Sequence, residues 1–233
     1  MRRPHPATAA DDGLPPSAEP SDPALPTTER GRRMRARLLA AAREVFERDG
    51  FLDARVTDIS AAAGVAHGSF YTYFGSKTEI FRALVAATMD ELYASLGTGH
   101  GAPGGGPHGG DRPRDAVRRI DRANRRFVAM YRQNTALMAL FEQVTTFDPE
   151  VRALRQSARE RMVGRVAHSI AQLQAEGHVP TDLDAEYSAH ALVAMVNGLV
   201  HYWLVLGADF DEDRLVATMT GLWARSLGLP PGN

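Results

Sequence analysis

The chain has 233 residues, a net charge of −1, 14 prolines, 21 glycines and no cysteine. With 44% hydrophobic and 24% charged residues it holds enough apolar material for a folded core, which excludes wholesale disorder. The absence of cysteine excludes a disulfide scaffold, a thiolate metal site and a cysteine nucleophile.

Residues 1–27 contain seven prolines and no periodic apolar pattern, so they are expected to form a disordered arm; Arg2 and Arg3 lead into prolines and acids rather than a secretory apolar stretch. Residues 97–110 hold eight glycines and predict a flexible insert over 97–112. Between and after these breaks almost nothing alternates with period two, and the chain is expected to be all-α. Helices are predicted at 29–49, 56–63, 67–74, 77–96, 113–132, 134–146, 149–177, 184–206 and 211–227. Leu38, Ala42, Val45 and Phe46 give the first one apolar face, and Gly50-Phe51 reads as a left-handed stop followed by an apolar residue folding back. Asp148 before Pro149, Thr181 or Asp182, and Asp209 or Asp211 are candidate caps of the last three helices. The charge is unevenly spread: residues 28–77 carry +3, 112–165 carry +7 and 166–233 carry −6.

The segment from Val56 to Lys77 carries the most information. Val56, Ile59 and Ala63 form the inner face of one short helix, and Val65, Phe70 and Phe74 anchor another. Ala62 and Ala63 are expected to let them cross closely, with Gly64 taking the turn. A second helix with small, hydroxylic and aromatic residues facing outward suits the major groove of duplex DNA.

Ala63-Gly64-Val65, Phe70-Tyr71-Thr72-Tyr73-Phe74 and Ser76-Lys77, with Gly50-Phe51 upstream, resemble the DNA-binding domain of TetR-family transcriptional regulators over about residues 29–85. The resemblance implies a three-helix helix-turn-helix head at 28–76, a connecting helix at 77–96 and a helical ligand-binding and dimerisation domain at 113–229. It implies base contacts from His67, Gly68, Tyr71 and Thr72 and phosphate contacts from Ser69, Tyr73 and Lys77, with Thr57 on the preceding helix. Arg30, Arg32, Arg33, Arg35 and Arg37 suit backbone or minor-groove contact. The bland alternatives are a Tyr71 packed on the first helix, a solvated arginine face and a His67 pointing at water. Arg55 stands where the family caps its second helix with Ser or Thr, so Asp53 caps one turn earlier or the cap is lost; Ala66 replaces a second such Ser.

Of the tempting catalytic patterns none holds. Gly99-His100-Gly101-Ala102-Pro103-Gly104 spells a dinucleotide fingerprint but follows a helix and includes a proline. His100 and His108 lack acidic partners for a metal, and Asp184, Ser188 and His190 on a single helix cannot converge. No enzyme, metal site or cofactor is expected. Tyr187 to Ala208 contains no Asp, Glu, Lys or Arg, but His190, Asn197, His201 and acidic flanks favour a helix buried on all sides by protein over a membrane span.

The resemblance assigns the last two helices to a homodimeric four-helix bundle. Leu192, Met195, Leu199 and Trp203 form one stripe and Ala191, Ala194, Gly198, Tyr202 and Val205 another; Leu215, Met219 and Leu222 offer a complementary face, the alternative for all of them being core within one chain. Phe127, Met130, Tyr131, Met138, Phe141, Met162, Asn197 and His201 are candidates to line an effector pocket, the alternative being ordinary core. The effector expected is small and apolar, or an anion drawn by Arg118, Arg122, Arg125 and Arg126 or by Arg161 and Arg165; otherwise these arginines are a solvated surface. The expected function is a cytoplasmic repressor on a palindromic operator. The alternatives are a dimeric DNA-binding regulator, including an activator, without an effector, and, out of class, an enzyme or a membrane-associated helical protein.

Overall fold

The computed structural model describes residues 26–97 and 113–230, with the side chains of 91–97 and 113 left out. The proline-rich arm before residue 26 and most of the glycine-rich insert, with His100 and His108, lie outside the described residues. Among the described residues there is no strand. The helices are α1 (Glu29–Asp53), α2 (Val56–Ala62), α3 (His67–Phe70), α4 (Lys77–Gly97), α5 (Pro113–Gln133), α6 (Thr135–Thr145), α7 (Pro149–Ala175), α8 (Ala185–Leu204) and α9 (Glu212–Ser226).

α1, α2, α3 and the start of α4 form a head. Leu38, Ala42, Val45 and Phe46 are completely buried, as their spacing predicts. Gly50 sits at φ 76°, a conformation that opposes any Cβ, and kinks the chain inside the range assigned to α1. That kink folds Phe51 back onto Phe46, with ring centroids 5.8 Å apart, and edge-on to Phe81 at 5.0 Å. Three aromatic rings from two helices thereby lock α4 to α1, each pair adding roughly 1 kcal/mol beyond its buried area.

α4 begins with a reciprocal cap: Ser76 Oγ accepts from Glu79 N at 3.1 Å, and Glu79 Oε2 accepts from Gly75 N at 2.7 Å. It then leaves the head and packs on α5 and α7, while α7 lies along α8 and α5 against α9. Asp148 caps α7 through Glu150 N and Val151 N, and Asp211 caps α9 through Arg214 N. α8 is capped by Asp184, accepting from Glu186 N and Tyr187 N, and not by Thr181 or Asp182. The helix itself starts within one residue of the expected position, and in the connection before it Gln174 Nε2 donates to the carbonyls of Pro180 and Leu183 at 2.8 and 2.7 Å.

One expectation about α9 is corrected, and the single chain covers α8 on one side only. α8 is not enclosed on all sides: Ala189, Leu192, Val193, Val196 and Val200 are buried, whereas Ala191, Ala194 and Gly198 are exposed, with Tyr187 and Tyr202 at 77% and 54%. Met219 is completely buried and Leu215 nearly so, both within the protomer's own core, leaving Leu222 as the exposed apolar residue of that set. No helix of the described residues is long and apolar enough to cross a membrane.

Candidate nucleic-acid interface and ligand cavity

α2 and α3 are separated by a turn in which Gly64 adopts φ 63°. α2 starts at Arg55 without a side-chain cap, and α3 starts at Ala66 likewise, so both caps are lost. What holds the pair is burial. Ile59 and Phe70 are wholly buried, Phe74 and Ala63 almost so, and Val56 and Val65 pack against them. Ala62 faces solvent, contrary to expectation, so the close crossing rests on Ala63. The tail of α2 gains an outside donor instead: the Arg37 guanidinium bonds the Ala63 carbonyl from α1.

α3 is shorter than its pattern suggests, giving way after Phe70 to a turn in which Tyr73 N and Phe74 N both return to the Phe70 carbonyl. Around it His67, Gly68, Tyr71 and Thr72 are exposed, while Ser69 and Tyr73 are half-buried and Thr57 of α2 is exposed nearby in sequence. Tyr71 is 53% exposed, its ring edge-on to His67 at 5.3 Å and to Phe70 at 5.4 Å. A ridge of polar and aromatic tips, propped from behind by buried phenylalanines, has the character needed to read base edges.

The cations divide by what already engages them. Lys77 Nζ donates to the carbonyls of Leu52 and Ala54, both at 2.9 Å, and lies 4.9 Å from the Phe51 ring centre. Burial holds its ammonium below the ordinary lysine range. Lys77 therefore closes the end of α1, with one proton left over. Arg35 lies over Phe74 at 5.2 Å. Arg32 and Arg33 share Glu29, at 2.9 and 3.5 Å, in exposed pairs that a phosphate could replace at little cost.

A second concavity lies in the body, a cavity of about 260 Å³ between α4, α5, α6, α7 and α8. Six expected pocket residues line it: Tyr131, Met138, Phe141, Met162, Asn197 and His201. Phe127 borders a smaller neighbouring void together with Met162 and Asn197, and Met130 lines neither. The Tyr131 hydroxyl and His201 Nδ1 lie 3.1 Å apart, joining α5 to α8. Burial first, and the Glu142 charge second, push the Tyr131 hydroxyl up to about 12. Unforeseen in the sequence are Arg155, Arg159 and Glu142 at the same cavity, with Arg155 Nη1 2.7 Å from Glu142 Oε2. α7 is predominantly polar, and which of its arginines face inward depends on how it lies against α6 and α8. Arg125, one of the arginines considered for an anion, is instead bound to Asp121 and Asp213. Among the described residues no group of His, Asp and Glu could hold a metal ion.

Head and body meet at defined contacts. Arg43 of α1 donates to Asn134 Oδ1 at 2.7 Å, at the corner between α5 and α6. Phe51 meets Phe147 at 5.9 Å, and Arg82 pairs with Glu150.

An all-helical chain with a helix-turn-helix head, an exposed second helix and a separate cavity-bearing body is the architecture of a DNA-binding transcription regulator. Comparison with known proteins agrees. Residues 38–84 match the family model described as "Bacterial regulatory proteins, tetR family", and residues 113–228 match "BetI-type transcriptional repressor, C-terminal". The chain is 27% identical over 188 residues to the HTH-type transcriptional regulator TtgR of Pseudomonas putida, covering 79% of this chain and 87% of the relative. It is 28% identical over 207 residues to the HTH-type transcriptional regulator YdgC of Bacillus subtilis, covering 88% and 97%. Among solved structures, the fatty acid degradation regulator FadR from Bacillus halodurans superposes with a TM-score of 0.64 at 18% identity, covering 81% of this chain and 93% of that one. A transcriptional regulator from Rhodococcus sp. gives 0.65 at 21% identity, covering 84% and 99%. The chain belongs to the TetR family of transcriptional regulators.

Proposed function

We propose that the protein is a cytoplasmic homodimeric repressor that holds a near-palindromic operator through two copies of α3 and releases it when a small molecule occupies the cavity among α4–α8. The observation that carries this reading is the exposed ridge of His67, Gly68, Tyr71 and Thr72 on a head tied to a body that contains a cavity. His67 and Tyr71 would meet base edges, with the Thr72 methyl against a thymine methyl and Gly68 admitting close approach. Ser69, Tyr73, Thr57, the third Lys77 proton and the exposed Arg32 and Arg33 would contact phosphates. Ala191, Ala194, Gly198, Tyr202 and Leu222 would meet a second copy, which supplies the second recognition helix one helical turn away. The description of the carboxy-terminal family match as a repressor supports the direction of control.

The test is selection of bound sequences from a random duplex pool by the full-length protein. The expected result is an inverted repeat with half-sites about one helical turn apart, bound with an affinity that falls steeply with salt. Failure to enrich any sequence, or binding indifferent to salt, would overturn the reading.

A further inference from the structure

We infer that the body cavity takes a compact apolar monocarboxylate, its anionic end on Arg159 and Arg155 and its apolar end on Phe141, Met138, Met162 and Val193. The inference rests on the reading of this cavity as an effector site and specifies the chemical class of the effector. Arg155 and Arg159 are one helical turn apart on α7, and Met162 follows three residues later, so a single helix face runs from charge to hydrocarbon across the opening. Phe141 and Met138 extend the apolar end from α6 and Val193 from α8; all three are buried. A ligand matched to this wall is amphipathic along one axis.

The sign of the charged end follows from what is already paired. Among the described residues Glu142 is the one acid lining the cavity, and Arg155 holds it at 2.7 Å. Arg159 has no acidic partner among the described residues, which leaves one cation over at the cavity. A carboxylate landing there meets a fork of N–H donors suited to it. At physiological pH the Tyr131 hydroxyl is protonated, as any tyrosine is, and stands at the cavity 3.1 Å from His201 Nδ1. An ammonium ligand would instead have to compete with Arg155 for Glu142 while facing Arg159.

Size narrows the class. A cavity of about 260 Å³ lies at the small end of the range of roughly 300–1,000 Å³ that small-molecule sites occupy, which suits one ring with a short side chain or a short aliphatic acid.

The experiment compares three probes of nearly equal shape, phenylpropionate, phenylpropionamide and phenylpropylamine, by calorimetric titration and thermal shift of the full-length protein. Phenylpropionate is expected to bind and raise Tm, with an affinity about tenfold above that of the amide. Arg159→Gln, at an exposed position where folding is not at risk, should remove that preference, and Arg159→Lys should restore part of it. Glu142→Gln, which removes the competing carboxylate, should tighten phenylpropionate several-fold. An amide as tight as the acid, or an amine that is tighter, overturns the anionic class and leaves the cavity as a ligand site. No binding by any of the three overturns both the class and the effector-site reading beneath it.

Discussion

Lys77 separates two roles that a motif alone leaves merged. By sequence it sits where the family contacts phosphate, yet its ammonium bonds the Leu52 and Ala54 carbonyls and lies on the Phe51 ring. Replacing it with methionine keeps the stem and loses the donors, so the head is expected to weaken by about 1–3 kcal/mol, visible as a lower Tm of the free protein. Tyr71→Ala should do the reverse. Its ring is more than half exposed and no hydrogen bond of the fold depends on it, so Tm stays within about a degree while affinity for selected DNA falls about tenfold. Thermal melts and DNA titrations on the two variants distinguish them; equal losses of DNA affinity with unchanged melting would return Lys77 to a purely phosphate-binding role. Tyr131 offers a third residue-scale test, through pH. Its hydroxyl ionises near 12 in the folded chain against an ordinary value of 10.0. Because the folded state keeps the proton longer, this contribution to stability is whole below pH 10 and is lost as pH rises toward 12. Tyr131→Phe should therefore flatten the alkaline decline of stability over that window, measured by denaturant titration at a series of pH values.

At the scale of elements, the corner between α5 and α6 joins the cavity to the head. Tyr131 lines the cavity; Asn134, three residues on, stands at the first position before α6 and accepts from Arg43 of α1 at 2.7 Å. Asn134 also donates to the Met130 carbonyl at 2.7 Å, so its side chain is held at both ends. A ligand that shifts Tyr131 or Met138 would shift this corner, and α1 with it. Arg43→Met is expected to leave the affinity for phenylpropionate unchanged while the ratio of DNA affinities without and with that probe moves toward one. The measurement is a DNA titration at zero and saturating probe, and an unchanged ratio would exclude this corner as the link. Neither partner stood out in the sequence: Arg43 is one of several arginines on α1 and Asn134 lies at a predicted helix edge. By contrast the helix-turn-helix was legible because turn glycines and buried aromatics recur at fixed local spacing, and Gly50 and Gly64 show the positive φ that such spacing requires. Much of the apolar lining of the cavity was legible from residue type, as methionines and aromatics in the region the resemblance assigned, though Phe127 and Met130 do not line it. Arg155, Arg159 and Glu142 were not, since which arginine of α7 faces inward depends on how that helix lies against α6 and α8. Met219 was misplaced for the same reason: one helix has two apolar sides, and only packing decides which belongs to the protomer.

At the scale of the whole molecule, α8 presents an exposed face along its length. Tyr187, Ala191, Ala194, Gly198 and Tyr202 recur at steps of four, three, four and four along it, all exposed, and Leu222 of α9 is exposed as well. A stripe of this kind is small in its middle and aromatic at its ends, so a second helix could approach closely at Ala194 and Gly198 while the tyrosines close over it. Gly198 supplies the decisive variant. A Cβ built there meets nothing within 4 Å of the protomer, and glycine inside a helix costs roughly 0.5–1 kcal/mol relative to alanine. Gly198 also lines the cavity, but no packing contact within the single chain requires glycine there, so Gly198→Arg should leave the protomer as helical and as resistant to heat as before apart from any stabilisation it draws from pairing. If the stripe is where two copies meet, the arginine drives them apart: sedimentation should show a monomer where the unaltered chain is a dimer. Affinity for a palindromic site should then fall by orders of magnitude, because each head retains its ridge but loses the second half-site that the pairing supplied. A Gly198→Arg protein that remains dimeric at micromolar concentration would place the subunit contact elsewhere on the body.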